Sequence, residues 1–168
     1  MTVKDLEVMY DYGNWANKKL FEVLSQLDTE QFTKSIAGGY GTVRDTMVHI
    51  LSAQWAWLDH CGGRARGAAL NAADYPTLAS VMNRWEQVES YVREFLSTLS
   101  DSDLHRPVEF SIGGGPKQTM PLGELLHHAF IHGIHQRGQV ALLVRSLGIT
   151  PGNFDILVYY GNRFGLSA

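Results

Sequence analysis

Cysteine is almost missing from the sequence: one residue, Cys61, stands among 168. That excludes an intramolecular disulfide framework, and without a C-x-x-C pair there is no dithiol redox centre or thiolate metal site. An intracellular protein fits best. Charge of one sign is not in excess either, since 14 Lys and Arg face 17 Asp and Glu for a net charge of −3. Nucleic acid and anionic membranes therefore lack the basic surface that would hold them, and neither is expected as a partner. Long hydrophobic runs are missing as well. The longest aliphatic run, Val140 to Val144, falls far short of the roughly 20 residues of a membrane span. The N-terminal Met1-Thr2-Val3-Lys4-Asp5-Leu6 has no apolar signal core. A soluble, cytoplasmic protein is the expectation.

What is present points to a packed core. Hydrophobic residues make up 45% and charged residues 18%, against about 25% charged in an average protein, which excludes intrinsic disorder. The length suits one domain over residues 1–168, able to bury about 70% of its unfolded surface. One count is uneven. Of seven histidines, His127, His128, His132 and His135 fall within nine residues.

Leu6, Met9, Tyr10, Gly13, Asn17, Leu20, Leu24 and Leu27 recur at steps of three and four, which predicts an amphipathic helix over the first 27 residues. Residues 28–41 read as a loop, and Thr42 with Asp45 three positions on offers a helix N-cap. A second helix over 42–60 follows, dissolving into a glycine-containing stretch that runs to Pro76. A third is predicted over 77–99. Val108 to Ile112 alternates apolar with polar and Gly113-Gly114-Gly115-Pro116 breaks the chain before Lys117 to Met120, so a small hairpin or flap is expected. Pro121 suits an early helix position, with a fourth helix over 122–147 ended by Gly148. Residues 154–160 add a short C-terminal helix. The fold class is all-α, a four-helix bundle, and such bundles build metal and ligand sites from side chains on facing helices.

On a helix each residue advances about 100°, so His128 and His132, and then His132 and Gln136, are about 40° apart and share a stripe that also takes in His135. His127 lies about 140° from His132 and is a flanking residue. Two imidazoles at i, i+4 can grip one divalent ion. A third ligand must come from another helix, and His49 is the candidate, set mid-helix in Met47-Val48-His49-Ile50-Leu51. A lone buried histidine is more often a hydrogen-bonded core residue. A cluster of imidazoles, costly to desolvate, favours a metal or a reaction.

The segment Thr42-Val43-Arg44-Asp45-Thr46-Met47-Val48-His49-Ile50-Leu51-Ser52-Ala53-Gln54-Trp55-Ala56-Trp57-Leu58, taken with His132-Gly133-Ile134-His135-Gln136-Arg137-Gly138-Gln139 and Leu143-Val144-Arg145-Ser146-Leu147-Gly148, resembles the DinB/YfiT-like superfamily of metalloenzymes. The resemblance spans nearly the whole chain. It implies an up-down-down-up four-helix bundle, often a homodimer, in which one histidine of the second helix and two of the fourth bind a divalent ion, with Zn or Ni expected. The first maps onto His49 and the second onto His132. The third belongs immediately before Arg137-Gly138-Gln139, where this chain has Gln136. An amide oxygen is a harder, weaker ligand than imidazole, so affinity for such an ion should fall. His49, His132 and Gln136 are the preferred set, with His128 or His135 as substitutes and His128 the better placed. Three ligands leave positions open for water and substrate, as catalytic sites do.

Other residues weigh less. Gly138 inside a helix suggests close helix approach, and Arg137 suggests a pair with a carboxylate such as Asp11 on the first helix. Trp15, Trp55, Trp57 and Trp85 read mainly as core. Asp45 and Glu124 sit at helix starts, where the dipole explains a carboxylate, and neither is assigned to catalysis. Cys61 reads as an incidental loop thiol, and Gly113-Gly114-Gly115 lacks the Gly-Lys-Ser/Thr ending of a phosphate loop. Characterised relatives implied by the resemblance include transferases and isomerases that use low-molecular-weight thiols. A metal-activated thiolate attacking a small electrophile is therefore the leading expectation. A metal-dependent hydrolase is one alternative, and a non-catalytic, stress-linked or damage-inducible metal- or ligand-binding dimer is the other.

Overall fold

The computed structural model describes residues 1–37, 40–64 and 68–166. Parts of the two glycine-containing loops expected before and after the second long helix lie outside the described residues. Four long helices dominate: α1 (Val3–Leu24), α3 (Val43–Cys61), α4 (Leu78–Ser97) and α5 (Leu122–Ser146). Between them come the short α2 (Thr29–Thr33), the strands β1 (Pro107–Phe110) and β2 (Gln118–Pro121), and finally α6 (Ile156–Phe164). The all-α bundle with its hairpin and C-terminal helix is thus the fold of this chain.

Local chemistry sets the helix starts. Thr2, Thr42 and Thr77 each accept a hydrogen bond from the backbone N–H three residues on, at Asp5, Asp45 and Ser80, satisfying a donor that the first turn leaves orphaned. α1 ends three residues earlier than the periodicity predicts, because Ser25 caps it and Asp28 starts α2 with a capping box to Gln31. That short helix was read as loop, and its Phe32 is buried. Pro121 closes β2 and stands just before α5 rather than inside it. The hairpin is antiparallel with Val108 opposite Met120, and Val108 and Phe110 point into the core. Gly113 and Gly114 take φ of 58° and 75° at its turn, a conformation that glycine adopts without steric cost.

α1 and α3 each pack against both α4 and α5. Leu6, Leu20 and Leu24 of α1 meet Met47, Leu51 and Leu58 of α3, Trp85 of α4 and Leu122 and Leu126 of α5 in one apolar core. Of the four tryptophans only Trp85 is fully buried. Cys61 is not a loop thiol: it is the last residue of α3, fully buried, and burial pushes its thiol up to about 12. Among the described residues, no helix is long and apolar enough to cross a membrane.

Candidate metal and ligand site

The seam between α3 and α5 brings His49 and His132 together. Their Nε2 atoms lie 3.2 Å apart across 83 residues of sequence, and the rings meet nearly edge to face. Gln136, one turn along α5, places its Nε2 3.5 Å from His132 Nε2. The Tyr40 hydroxyl and His49 Nε2 share a hydrogen bond of 2.8 Å, and the two rings stack with centroids 3.9 Å apart. Nothing in the sequence marked Tyr40. It stands two residues before the Thr42 cap, next to Gly41, whose carbonyl accepts from the Ile36 N–H at 2.6 Å.

One neutral imidazole can donate to the other across the 3.2 Å, and with both Nε2 atoms unprotonated the pair instead presents two lone pairs to an added proton or a metal cation. A proton is disfavoured near neutral pH, since burial, reinforced by the neighbouring imidazoles of His49, His128 and His135, pushes His132 down to about 4. Burial lowers His49 as well.

A divalent cation fits the donor set. Two imidazole nitrogens held at about 2.0–2.1 Å in a tetrahedral site lie about 3.4 Å apart, close to the observed spacing. Gln136 is buried and its Oε1 has no hydrogen-bond partner. The two ends of its amide are equal in shape, so rotation about the terminal bond turns this orphaned oxygen towards His132. Among the described residues, no group of three or more His, Cys, Asp or Glu side chains could hold a metal ion. The convergent set has two imidazoles and one amide.

The substitute ligands stand aside. His128 is exposed and packs its ring on Trp57, with centroids 4.8 Å apart, and it is 6.1 Å from the ring of His132. His135 is exposed and bonded to Gln139 one turn on. Glu124 is exposed in the first turn of α5, and Asp45, in the first turn of α3, is held by Arg44 at 2.8 Å.

Two expectations are corrected. Arg137 does not pair with Asp11, which binds Arg93 at 3.0 Å; instead Arg137 Nη1 donates to Asn17 Oδ1 at 3.1 Å, since both side chains turn into the bundle. Nor does Gly138 mark a close helix approach, because a Cβ there would meet nothing within 4 Å. The tight positions are Gly133, where a Cβ would come 3.3 Å from Arg137 Nη1, and Gly123, 3.3 Å from Leu104. Beside the histidine cluster, but not lined by it, lies a cavity of about 270 Å³ among α1, α3, α4 and α5, with Arg137, Asn14, Asn17 and Glu89 in its wall.

Comparison with known proteins agrees with this architecture. The chain is 28% identical over 142 residues to the uncharacterized protein YizA of Bacillus subtilis (strain 168), covering 84% of this chain and 87% of that one. It is 22% identical over 156 residues to Protein DinB of the same organism, covering 90% and 91%. A crystal structure of a DinB-like protein from Bacillus cereus ATCC 10987 superposes with a TM-score of 0.73 at 24% identity, over 90% of this chain and 97% of that chain. That likeness carries the fold. With the DinB family model matching residues 1–162, from before α1 to within α6, the chain belongs to the DinB family.

Proposed function

We propose that this chain is a divalent-metal-dependent enzyme of the DinB type whose ion is held by His49, His132 and Gln136. The observation that carries the reading is the pair of Nε2 atoms 3.2 Å apart, both kept neutral, with an unpartnered amide oxygen one turn away. When bound, a Zn- or Ni-like ion supplies Lewis acidity and lowers the pKa of a thiol or water beside it. The protein's own groups do the rest. Gln136 weakens the grip relative to a third imidazole, and Tyr40, 47% exposed, stacks on His49 and must release the Nε2 that its hydroxyl now holds at 2.8 Å before an ion takes it. Once freed, that hydroxyl orients an incoming small molecule.

Thiol transfer is the preferred chemistry. A low-molecular-weight thiol loses its proton to solvent, its sulfur bonds an electrophilic carbon, and the leaving group departs with its electron pair. Water in the same role gives the hydrolase alternative. A binding protein without turnover, expressed under stress, is the non-catalytic alternative. The reading includes a cytoplasmic homodimer, and sedimentation showing only monomer would remove that part of it.

Elemental analysis of protein purified without a metal-affinity tag tests the site. Bound metal is expected in the native protein and lost in His49→Ala and His132→Ala, and tightened in Gln136→His by about tenfold or more. Full retention by both alanine variants would overturn the proposal. With metal and a thiol added, consumption of monochlorobimane is expected from the native protein and not from His49→Ala. Bound metal without turnover favours the two alternatives.

A further inference from the structure

The cavity among α1, α3, α4 and α5 carries chemistry of its own. None of His49, His132 and Gln136 lines it. Its volume of about 270 Å³ lies just under the roughly 300–1,000 Å³ of pockets for drug-sized ligands, which suits a small metabolite. Arg137 enters from α5 and is only 5% exposed. Its hydrogen bond goes to the neutral amide of Asn17, Nη2 has no partner, and among the described residues no carboxylate lies within ion-pair distance of it. Tyr12, its ring 5.8 Å away and its side chain also in hydrogen-bonding reach of the guanidinium, is a neutral and weaker partner than an anion.

A buried guanidinium without a counter-charge is destabilising until an anion reaches it. Asn14, in the same wall, has a buried Oδ1 with no partner. So residues of the cavity wall hold one unsatisfied cationic donor and one unsatisfied acceptor, both atoms buried and met by a ligand only as Arg137 and Asn14 turn towards it. Glu7, Asp11 and Glu89 also line the cavity; Asp11 is engaged by Arg93, and burial pushes the Glu89 carboxyl up. Gly13 and Gly133 flank the guanidinium, with Cβ positions 4.0 Å and 3.3 Å from Nη1. Two glycines in helix interiors, where alanine is preferred, keep that space clear.

We infer that this cavity is a second ligand site, built for a small α-amino acid. The carboxylate docks on Arg137, and the ammonium is shared by Asn14 Oδ1 and the field of Glu89. A guanidinium suits a planar carboxylate, and the acceptor side rejects a ligand that lacks a donor.

Isothermal titration with the twenty common amino acids, and with propionate and propylamine as half-ligands, tests this on the full chain. At least one amino acid is expected to bind at one site per chain, with both half-ligands roughly tenfold weaker or more. Arg137→Met is expected to lose about 100-fold in affinity. Gly13→Ala, whose added Cβ fits at 4.0 Å from Arg137 Nη1, is the folding control and keeps binding within about threefold, whereas Gly13→Leu, used once circular dichroism and urea denaturation show it folded, fills the space beside the guanidinium and should lose binding. Binding should persist with a chelator present, which separates this site from the histidine cluster. No binding by the native protein up to about 10 mM, a concentration that would reveal even millimolar affinity, would overturn the proposal. So would native affinity in Arg137→Met or in folded Gly13→Leu, or propionate binding as tightly as the best amino acid.

Discussion

His132 shows how one side chain joins two demands. Its position on the α3–α5 seam exposes its Nε2 to His49 while burial holds the ring neutral, which is the state a ligand must have. The same burial has a consequence for the metal-free protein. An unfolded chain protonates this imidazole near pH 6.5, but the folded chain resists until about 4. Stability is therefore unaffected above pH 6.5, lost as pH falls from there to about 4, and level below that. Urea midpoints of chelator-treated protein should fall more steeply over that window in the native chain than in His132→Gln. Equal slopes would show that His132 does not hold off its proton. At this scale the sequence was informative about His132 and Gln136 because helical spacing sets them on one stripe of α5, and about His49 because it stands mid-helix among apolar residues. It was silent on Tyr40, which reaches His49 through a loop whose path no periodicity encodes.

At the scale of elements, α3 depends on how it begins. Thr42 is nearly buried and its hydroxyl accepts from Asp45 N at 2.8 Å, while Gly41 at φ 89° turns the chain just before it. Thr42→Ala should cost about 1 kcal/mol, seen as a fall of about 2–4 °C in melting temperature for a chain of this size. A change within error would mean another group satisfies that N–H. The four long helices and the hairpin were legible because their apolar positions repeat at 3.6 or 2 residues. α2 escaped because five residues hold too little pattern, and Cys61 was placed outside α3 because the following glycines masked how far the helix runs. Gly138 drew attention as an anomaly, whereas the crowded glycines are Gly123 and Gly133; a helix's own sequence does not say which of its faces meets a neighbour.

For the whole molecule, the core shared by α1, α3, α4 and α5 keeps the two histidine-bearing helices in register. Leu51, fully buried on α3, is one of its centres. Leu51→Ala should cost about 2–5 kcal/mol, a large part of the roughly 5–15 kcal/mol that stabilises a typical domain. Leu142→Ala, at a position 65% exposed, should stay within about 0.5 kcal/mol. Urea denaturation of both distinguishes these, and a similar cost for the two would mean that the buried face of α5 is misassigned.

Spacing along the chain accounts for the four long helices, the hairpin, the class of bundle and the stripe on which His132 and Gln136 lie, because each follows from neighbours within one element. Only the packing of the helices brings His49 Nε2 to 3.2 Å from His132 and sets the buried Arg137 against Asn17, with Nη2 left unpartnered. These are distances between elements far apart in the chain. They are fixed by how whole helix faces interlock, and no short stretch of sequence contains both partners.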